Sequence, residues 1–182
     1  YAGYGETDPD ARDVSAYKTT LSGDIGTPDD MSDNSFTVLW GALETVFDGF
    51  TVTRGNGETT GNFYSGAGMC NYSGNAMVIS NCVFTENRGF LGGGVYNGAS
   101  SVAFDGCVFL GNTASKNGGG VYSTSPSTIT NCVFTDNVAR EGGGAYVEYD
   151  ANTFTNCRFL RNLAHFHGGG LVAYQSSSLI SN

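Results

Sequence analysis

Four cysteines stand at one constant spacing: Cys82, Cys107, Cys132 and Cys157 are each 25 residues from the next. Thiols can act as nucleophiles, metal ligands or disulfide partners. A zinc site needs four ligands converging on a point, whereas equal spacing in a repeat spreads them along a line. If the copies stack as parallel strands, neighbouring Cβ atoms lie about 4.8 Å apart and point the same way, beyond the roughly 3.8 Å of a usual disulfide. The expected state is a buried column of free thiols, with bonds between successive cysteines as the alternative. Phe50 holds the same place in an earlier, degraded copy, which fits an apolar slot.

Other residues invite chemistry more weakly. Asp24, Asp29, Asp30 and Asp33 crowd one glycine-containing loop, and hard oxygen ligands there could hold Ca²⁺, the one cofactor the sequence suggests. The loop matches neither the EF-hand spacing nor the nonapeptide calcium repeat, and a solvated acidic loop is the plainer reading. Tyr96, Tyr122 and Tyr146 follow an apolar column by one residue, so alternation sends them outward as a stripe that could meet a glycan or a protein. The plainer reading is that stacked tyrosines only stabilise the ladder. Asn71-Tyr-Ser73 is a single glycosylation sequon. His165 and His167 are the only histidines, in a variable stretch before a glycine triplet. Acids do not stack into a catalytic column, since Glu86 and Asp136 are separated by Gly111 and followed by Arg161. No nucleophile motif, phosphate loop or dinucleotide fingerprint is present.

The element that must position these residues is a repeat. Asn81-Cys-Val-Phe-Thr-Glu-Asn87 returns as residues 106–112, 131–137 and 156–162, which places Phe84, Phe109, Phe134 and Phe159 in one column and Asn87, Asn112, Asn137 and Asn162 in another. Glycine triplets follow at 92–94, 118–120, 142–144 and 168–170. Residues 48–56 and 66–71 are degraded copies, and 19–25 and 36–40 read as earlier irregular strands. Short Val-, Phe- and Thr-rich runs alternate with period two and are broken by Gly and Asn, which is a strand pattern. One such copy cannot bury its own apolar face, but stacked copies can. The fold class is therefore all-β: a right-handed parallel β-helix, or solenoid, of about seven coils, roughly 30–35 Å long. Residues 1–35 form an acidic, loop-rich lead-in with a first irregular coil, and residues 36–182 form the regular coils.

Composition narrows the partners. The 182 residues carry 17 acids against 8 bases, a net charge of -9, with ten of the acids in the first 50 residues. Nucleic acid and anionic membrane surfaces are disfavoured on that balance, and no apolar run is long enough to span a bilayer. The chain stops where the next Cys column position would fall, so its open coil edge could dock on another copy and propagate as a filament.

The Phe-x-x-Asn and Gly-Gly-x-[Val/Leu/Ala] blocks resemble the repeats of polymorphic outer-membrane-protein-type β-helices. The stretches Tyr1-Ala-Gly-Tyr-Gly-Glu6, Thr20–Gly26 and Asp33–Phe36 are similar to the first coils of large extracellular proteins built from them. The resemblance implies an extracellular or cell-surface setting. The expected function is a non-enzymatic structural or adhesive module, partnered by itself or by surface proteins and glycans. The competing expectation is a carbohydrate-binding or polysaccharide-cleaving β-helix.

Overall fold

The computed structural model describes residues 18–41, 44–58, 66–72, 76–98 and 101–182, and the Tyr1–Glu6 part of the resemblance lies outside them. The first described coil contains β1 (Thr19–Ser22), a 3-10 turn (Met31–Asp33), β2 (Leu39–Trp40) and β3 (Val46–Asp48). The second contains β4 (Phe50–Thr53), β5 (Met69–Asn71) and β6 (Met77–Ser80). Four regular coils follow, with four strands each: β7 (Val83–Thr85), β8 (Arg88–Leu91), β9 (Val95–Asn97) and β10 (Val102–Asp105) in one, then β11 (Val108–Leu110), β12 (Thr113–Asn117), β13 (Val121–Ser123) and β14 (Ser127–Thr130). The last two comprise β15 (Val133–Thr135), β16 (Val138–Glu141), β17 (Ala145–Glu148) and β18 (Thr153–Thr155), and β19 (Arg158–Leu160), β20 (Leu163–His167), β21 (Leu171–Tyr174) and β22 (Leu179–Ser181).

Every pairing joins one coil to the next in parallel, so the protein is a parallel β-solenoid. Sheet A runs β1-β4-β7-β11-β15-β19, sheet B β2-β5-β9-β13-β17-β21, sheet C β3-β6-β10-β14-β18-β22, and sheet D only β8-β12-β16-β20. The expected seven coils are thus four regular turns preceded by two whose described residues form no sheet D strand. Those two turns replace the strand with the acidic loop and with a single bridge between Asn56 and Arg88. Among the described residues no helix is long and apolar enough to cross a membrane.

Register carries the sequence columns into space. Phe84 pairs with Phe109, Phe109 with Phe134 and Phe134 with Phe159. Their rings stack at 5.3, 4.6 and 4.7 Å between centroids and lie within 9° of parallel. Offset aromatic stacking of this kind adds to the burial of the rings, and Phe84, Phe109 and Phe134 are wholly enclosed. Val95, Val121, Ala145 and Leu171 form the facing wall. Val52 occupies the phenylalanine slot of the second coil.

Corners are turned by single left-handed residues. Asn81, Gly106, Asn131 and Asn156 (φ 50 to 62°) turn sheet C into sheet A, and Glu86, Gly111, Asp136 and Arg161 (φ 51 to 63°) turn sheet A into sheet D. The turn into sheet B needs more. Gly118 has φ 69°, and a Cβ on Gly119 would stand 2.4 Å from the Gly143 carbonyl oxygen of the next coil. The first glycine of a triplet therefore supplies the dihedral, and the second lets two coils touch backbone to backbone.

The asparagine column is buried just inside the sheet A–D corner, where it ties the coils together. Asn87 Nδ2 donates to Asn112 Oδ1 (3.0 Å), Asn112 Nδ2 to Asn137 Oδ1 (3.1 Å) and Asn137 Nδ2 to Asn162 Oδ1 (2.9 Å). Each Oδ1 also accepts the backbone N–H of the asparagine one coil earlier, as in Asn87 N to Asn112 Oδ1 at 3.1 Å. Each Nδ2 also reaches back to a core-strand carbonyl, as in Asn112 Nδ2 to Phe84 O at 2.8 Å. The side chain thus satisfies backbone groups that the corner removes from the sheet ladders. Asn112→Ala should strand a buried N–H and a buried carbonyl at once and cost about 2–4 kcal/mol. Denaturant unfolding of that variant against wild type measures it, and Asn112→Asp should recover little, because a carboxylate lacks the donating –NH₂.

Candidate functional site

Charged side chains gather where the acidic loop meets the sheet A–D corner. A groove of about 340 Å³ is lined there by Asp29, Met31, Arg54, Glu86, Asn87, Arg88, Gly111 and Thr113. Arg54, itself a left-handed corner residue (φ 61°), is the hub. Its Nη1 donates to Asp24 Oδ2 at 2.6 Å and to Asp29, and its Nε lies 3.9 Å from Glu86 Oε2. Its hydrogen bonds to Asp29, then to Asp24, raise the guanidinium pKa above its ordinary value. Arg88 pairs with Glu58.

Each of the four loop aspartates has a partner within the chain. Asp24 and Asp29 converge on a guanidinium. Asp30 instead caps the 3-10 turn, accepting from Ser32 N at 2.9 Å, and Asp33 Oδ2 accepts from Thr27 N at 2.8 Å. Among the described residues no set of three or more His, Cys, Asp or Glu side chains is grouped to hold a metal. Arg54 was not legible as the partner of the loop, because it lies 30 and 25 positions from the two aspartates.

The thiol column is as expected. None of the four column cysteines is in a disulfide; Cys82, Cys107 and Cys132 are buried and Cys157 is half-buried. The thiols of Cys107, Cys132 and Cys157 donate to main-chain carbonyls at 3.3, 3.2 and 3.3 Å. A hydrogen bond with Cys107, and burial after it, push the Cys132 thiol up from its ordinary 9.0 to about 12. Thiols held protonated in this way are poor nucleophiles and poor metal ligands. Cys70 lies in the tyrosine column instead, paired with Tyr96.

The tyrosine column overturns the outward stripe. Tyr96, Tyr122 and Tyr146 are 3%, 6% and 5% exposed and stack at 5.5 and 5.7 Å. The alternation itself is right: Val95 faces the main core and Tyr96 the opposite side of the strand. That side is covered, because the left-handed glycine folds the end of sheet D back over it. The tyrosines, Cys70 and Leu91 form a second apolar cluster, with Phe90 and Val172 packed against it. Tyr122 donates its phenol to Glu148. Burial, followed by Glu148 and Glu141, raises the Tyr146 hydroxyl from 10.0 to about 12.

The sequon is corrected too. Asn71 is 1% exposed and donates Nδ2 to Asn97 Oδ1 at 3.0 Å, beginning a second inner ladder that continues from Asn97 Nδ2 to Ser123 Oγ at 3.0 Å. In the folded coil its amide nitrogen is not available for glycosylation.

The histidines lie on β20 at the outer face of sheet D. His165 and His167 are exposed on either side of Phe166, and His167 Nδ1 is 3.7 Å from Glu141 Oε1. Phe166 is 63% exposed and sits under the Arg140 guanidinium, 4.5 Å from ring centroid to Cζ. Lys116 stands over Phe90 at 5.8 Å. The sequence reading passed over Phe90, Lys116 and Arg140. Each lies two positions before a glycine triplet, so counting back from the triplets, rather than forward from the cysteines, would have aligned them.

The family model described as the right-handed beta helix region matches residues 32–182, so the chain belongs to that family. No curated protein and no solved structure matches it.

The buried Cys132 thiol and Tyr146 phenol set a pH dependence. The folded chain keeps these protons longer than the unfolded chain does, so this contribution to stability is complete below pH 9. It is lost as pH climbs from 9.0 toward about 12, the interval set by Cys132, with Tyr146 adding its share from 10.0 upward. Urea midpoints measured between pH 7 and 11 should fall only above pH 9. In native protein at pH 8, iodoacetamide should leave Cys107 and Cys132 unlabelled by mass spectrometry and reach them only after denaturation.

Proposed function

We propose that this β-helix is a non-enzymatic structural or adhesive module of an extracellular or cell-surface setting. The observation that carries the reading is where the repetition lies. Residues that recur in all four regular coils, the Cys, Phe and Asn columns and the glycine triplets, are spent on contacts between coils. Outward positions repeat less strictly, with Val giving way to Arg in the last coil and Thr alternating with Leu. Val83, Val108, Val133 and Arg158 follow one another on sheet A, as do Thr85, Leu110, Thr135 and Leu160. The adjoining face, on sheet C, carries Val46, Val78, Ala103, Thr128, Thr153 and Leu179. A constant interior under a variable exterior suits a stiff support that displays surfaces. Repeated chemistry would instead need repeated groups on the outside.

The competing reading, a polysaccharide-cleaving β-helix, needs a carboxylate or a base free to move a proton. The groove at Arg54 is the natural place for one. Its acids Asp29 and Glu86 face Arg54, and the neighbouring Asp136 is held below the ordinary carboxylate range by Arg161, whose Nε and Nη2 both donate to it at 2.7 Å. That pairing suits structure better than acid–base work.

Incubation with polygalacturonate, alginate and neutral glucans, with and without Ca²⁺, tests the reading by release of reducing ends and of unsaturated products. No turnover is expected. Turnover that is lost in Arg54→Gln or Glu86→Gln would replace this reading with the enzymatic one.

A further inference from the structure

The acidic loop and the second coil hold buried oxygens that the chain itself does not satisfy. Asn34 and Asn56 are 6% and 7% exposed. Asn34 Nδ2 donates to Arg54 O at 2.8 Å, and Asn56 Nδ2 donates to Met31 O at 2.6 Å. Turning either amide over would set its oxygen against a carbonyl oxygen, so the orientation is fixed. That leaves Asn34 Oδ1 and Asn56 Oδ1 buried with no hydrogen to accept. Asp24 Oδ1 is in the same condition, while its Oδ2 is taken by Arg54 Nη1 at 2.6 Å. The asparagines of the regular ladder differ, because they use both ends: Asn112 Oδ1 accepts from Asn87, and Asn112 Nδ2 donates to Phe84 O. The three residues belong to one hydrogen-bonded cluster. Asp24 and Asn34 both meet Arg54, and Asn34 and Asn56 both meet Met31, the first at its sulfur (3.1 Å) and the second at its carbonyl. Native chains rarely leave a buried acceptor without a partner, and here three occur together.

We infer that Asp24, Asn34 and Asn56 bind one Ca²⁺ through these three oxygens. A cation satisfies several acceptors at once, which a single donor does not. One carboxylate and two amide oxygens are hard ligands, the kind Ca²⁺ selects, and the set has neither the thiolate nor the imidazole that a softer ion prefers. Mg²⁺ suits it less, because that ion demands a regular octahedron and keeps most of its water. The four loop aspartates outnumber Arg54, so the local field favours a cation. This ligand set shares only Asp24 with the four aspartates that the sequence suggests, since Asp29, Asp30 and Asp33 are engaged on Arg54, Ser32 and Thr27. Asp24 keeps Arg54 on one oxygen and offers the other to the ion. Two ligands come from the loop of the first coil and one from the second coil. The ion therefore fastens the loop to the stack at the place where the described residues form no sheet D strand. With a single carboxylate the affinity falls at about 10⁻⁴–10⁻³ M, the range of extracellular modules. The inference goes beyond the scaffold reading above and does not depend on it.

Equilibrium dialysis of the chelator-stripped whole chain against CaCl₂ in physiological salt counts the ions, and thermal melts read their effect. One Ca²⁺ per chain should bind, half-saturating at about 10⁻⁴–10⁻³ M, and a concentration about tenfold higher should raise the melting temperature by a few degrees. Mg²⁺ at the same concentration should leave the melt unchanged. Asp24→Asn keeps the shape of the head group but removes its charge, and should weaken Ca²⁺ binding roughly tenfold. Asn56→Ala should remove the thermal response to Ca²⁺, whatever it does to the melt without the ion. Asp30→Asn changes an exposed cap outside the ligand set, where asparagine caps as well as aspartate, and should bind as the wild type does. Should Asn56→Ala fail to fold, the wild-type stoichiometry and the contrast between Asp24→Asn and Asp30→Asn decide. Absence of Ca²⁺ binding overturns the inference and assigns the buried oxygens to water. Equal stabilisation by Mg²⁺, undiminished binding by Asp24→Asn, or the same loss in Asp30→Asn also overturns it, because ions are then gathered by the charge of the loop and not by a site. The scaffold reading stands under any of these results.

Discussion

Parallel backbone pairing from each coil to the next is the constraint on which the rest of the molecule depends. Val108 N donates to Cys82 O, Val133 N to Cys107 O and Arg158 N to Cys132 O, each at 2.9 Å, and this fixes residue i above residue i+25. Once that register is set, no side chain can choose its neighbour. A residue meets its own equivalents above and below, and favourable self-pairing becomes the requirement for each column. Phenylalanine meets it by offset stacking, and asparagine by offering a donor and an acceptor on one amide. Cysteine fills a small apolar slot and passes its S–H to a carbonyl.

The same constraint explains why mismatched columns are informative. The sheet A–D corner carries a cation at each end and two acids between them, and resolves into ion pairs, with Arg161 on Asp136 and Arg54 on the acidic loop and near Glu86. The loop stands in the first coil where the regular coils have a sheet D strand, and Arg54 ties it to the stack. The sheet D column of Phe90, Lys116, Arg140 and Phe166 resolves only halfway, because each cation has a ring on one side and another cation on the other.

The glycine triplets decide more than a turn. By reversing the chain with a left-handed residue and letting coils touch backbone to backbone, they fold the end of sheet D across the outer side of sheet B. That contact turns a face that would otherwise be wet into a second apolar cluster around Tyr96, Tyr122 and Tyr146. It also leaves Lys116, Arg140 and Phe166, each two residues before a triplet, on the outside.

The sequence by itself determined the solenoid, the free thiol column, the phenylalanine and asparagine ladders and the inner Val/Ala/Leu wall, because all of these follow from a fixed 25-residue period and short-range alternation. It read six described coils as seven, since the early irregular copies cannot be counted from pattern alone. Only the tertiary structure decided which side of a strand is wet, because alternation separates two faces without saying what covers them; hence the buried tyrosines and the buried Asn71. Only the structure joined Arg54 to Asp24 and Asp29, whose separation in the chain carries no local signal. The Phe90, Lys116, Arg140 and Phe166 column stayed hidden for a related reason. Its steps of 26, 24 and 26 residues drift against the cysteine period, and bulges in sheet D absorb the difference. Backbone geometry restores an alignment there that counting residues loses.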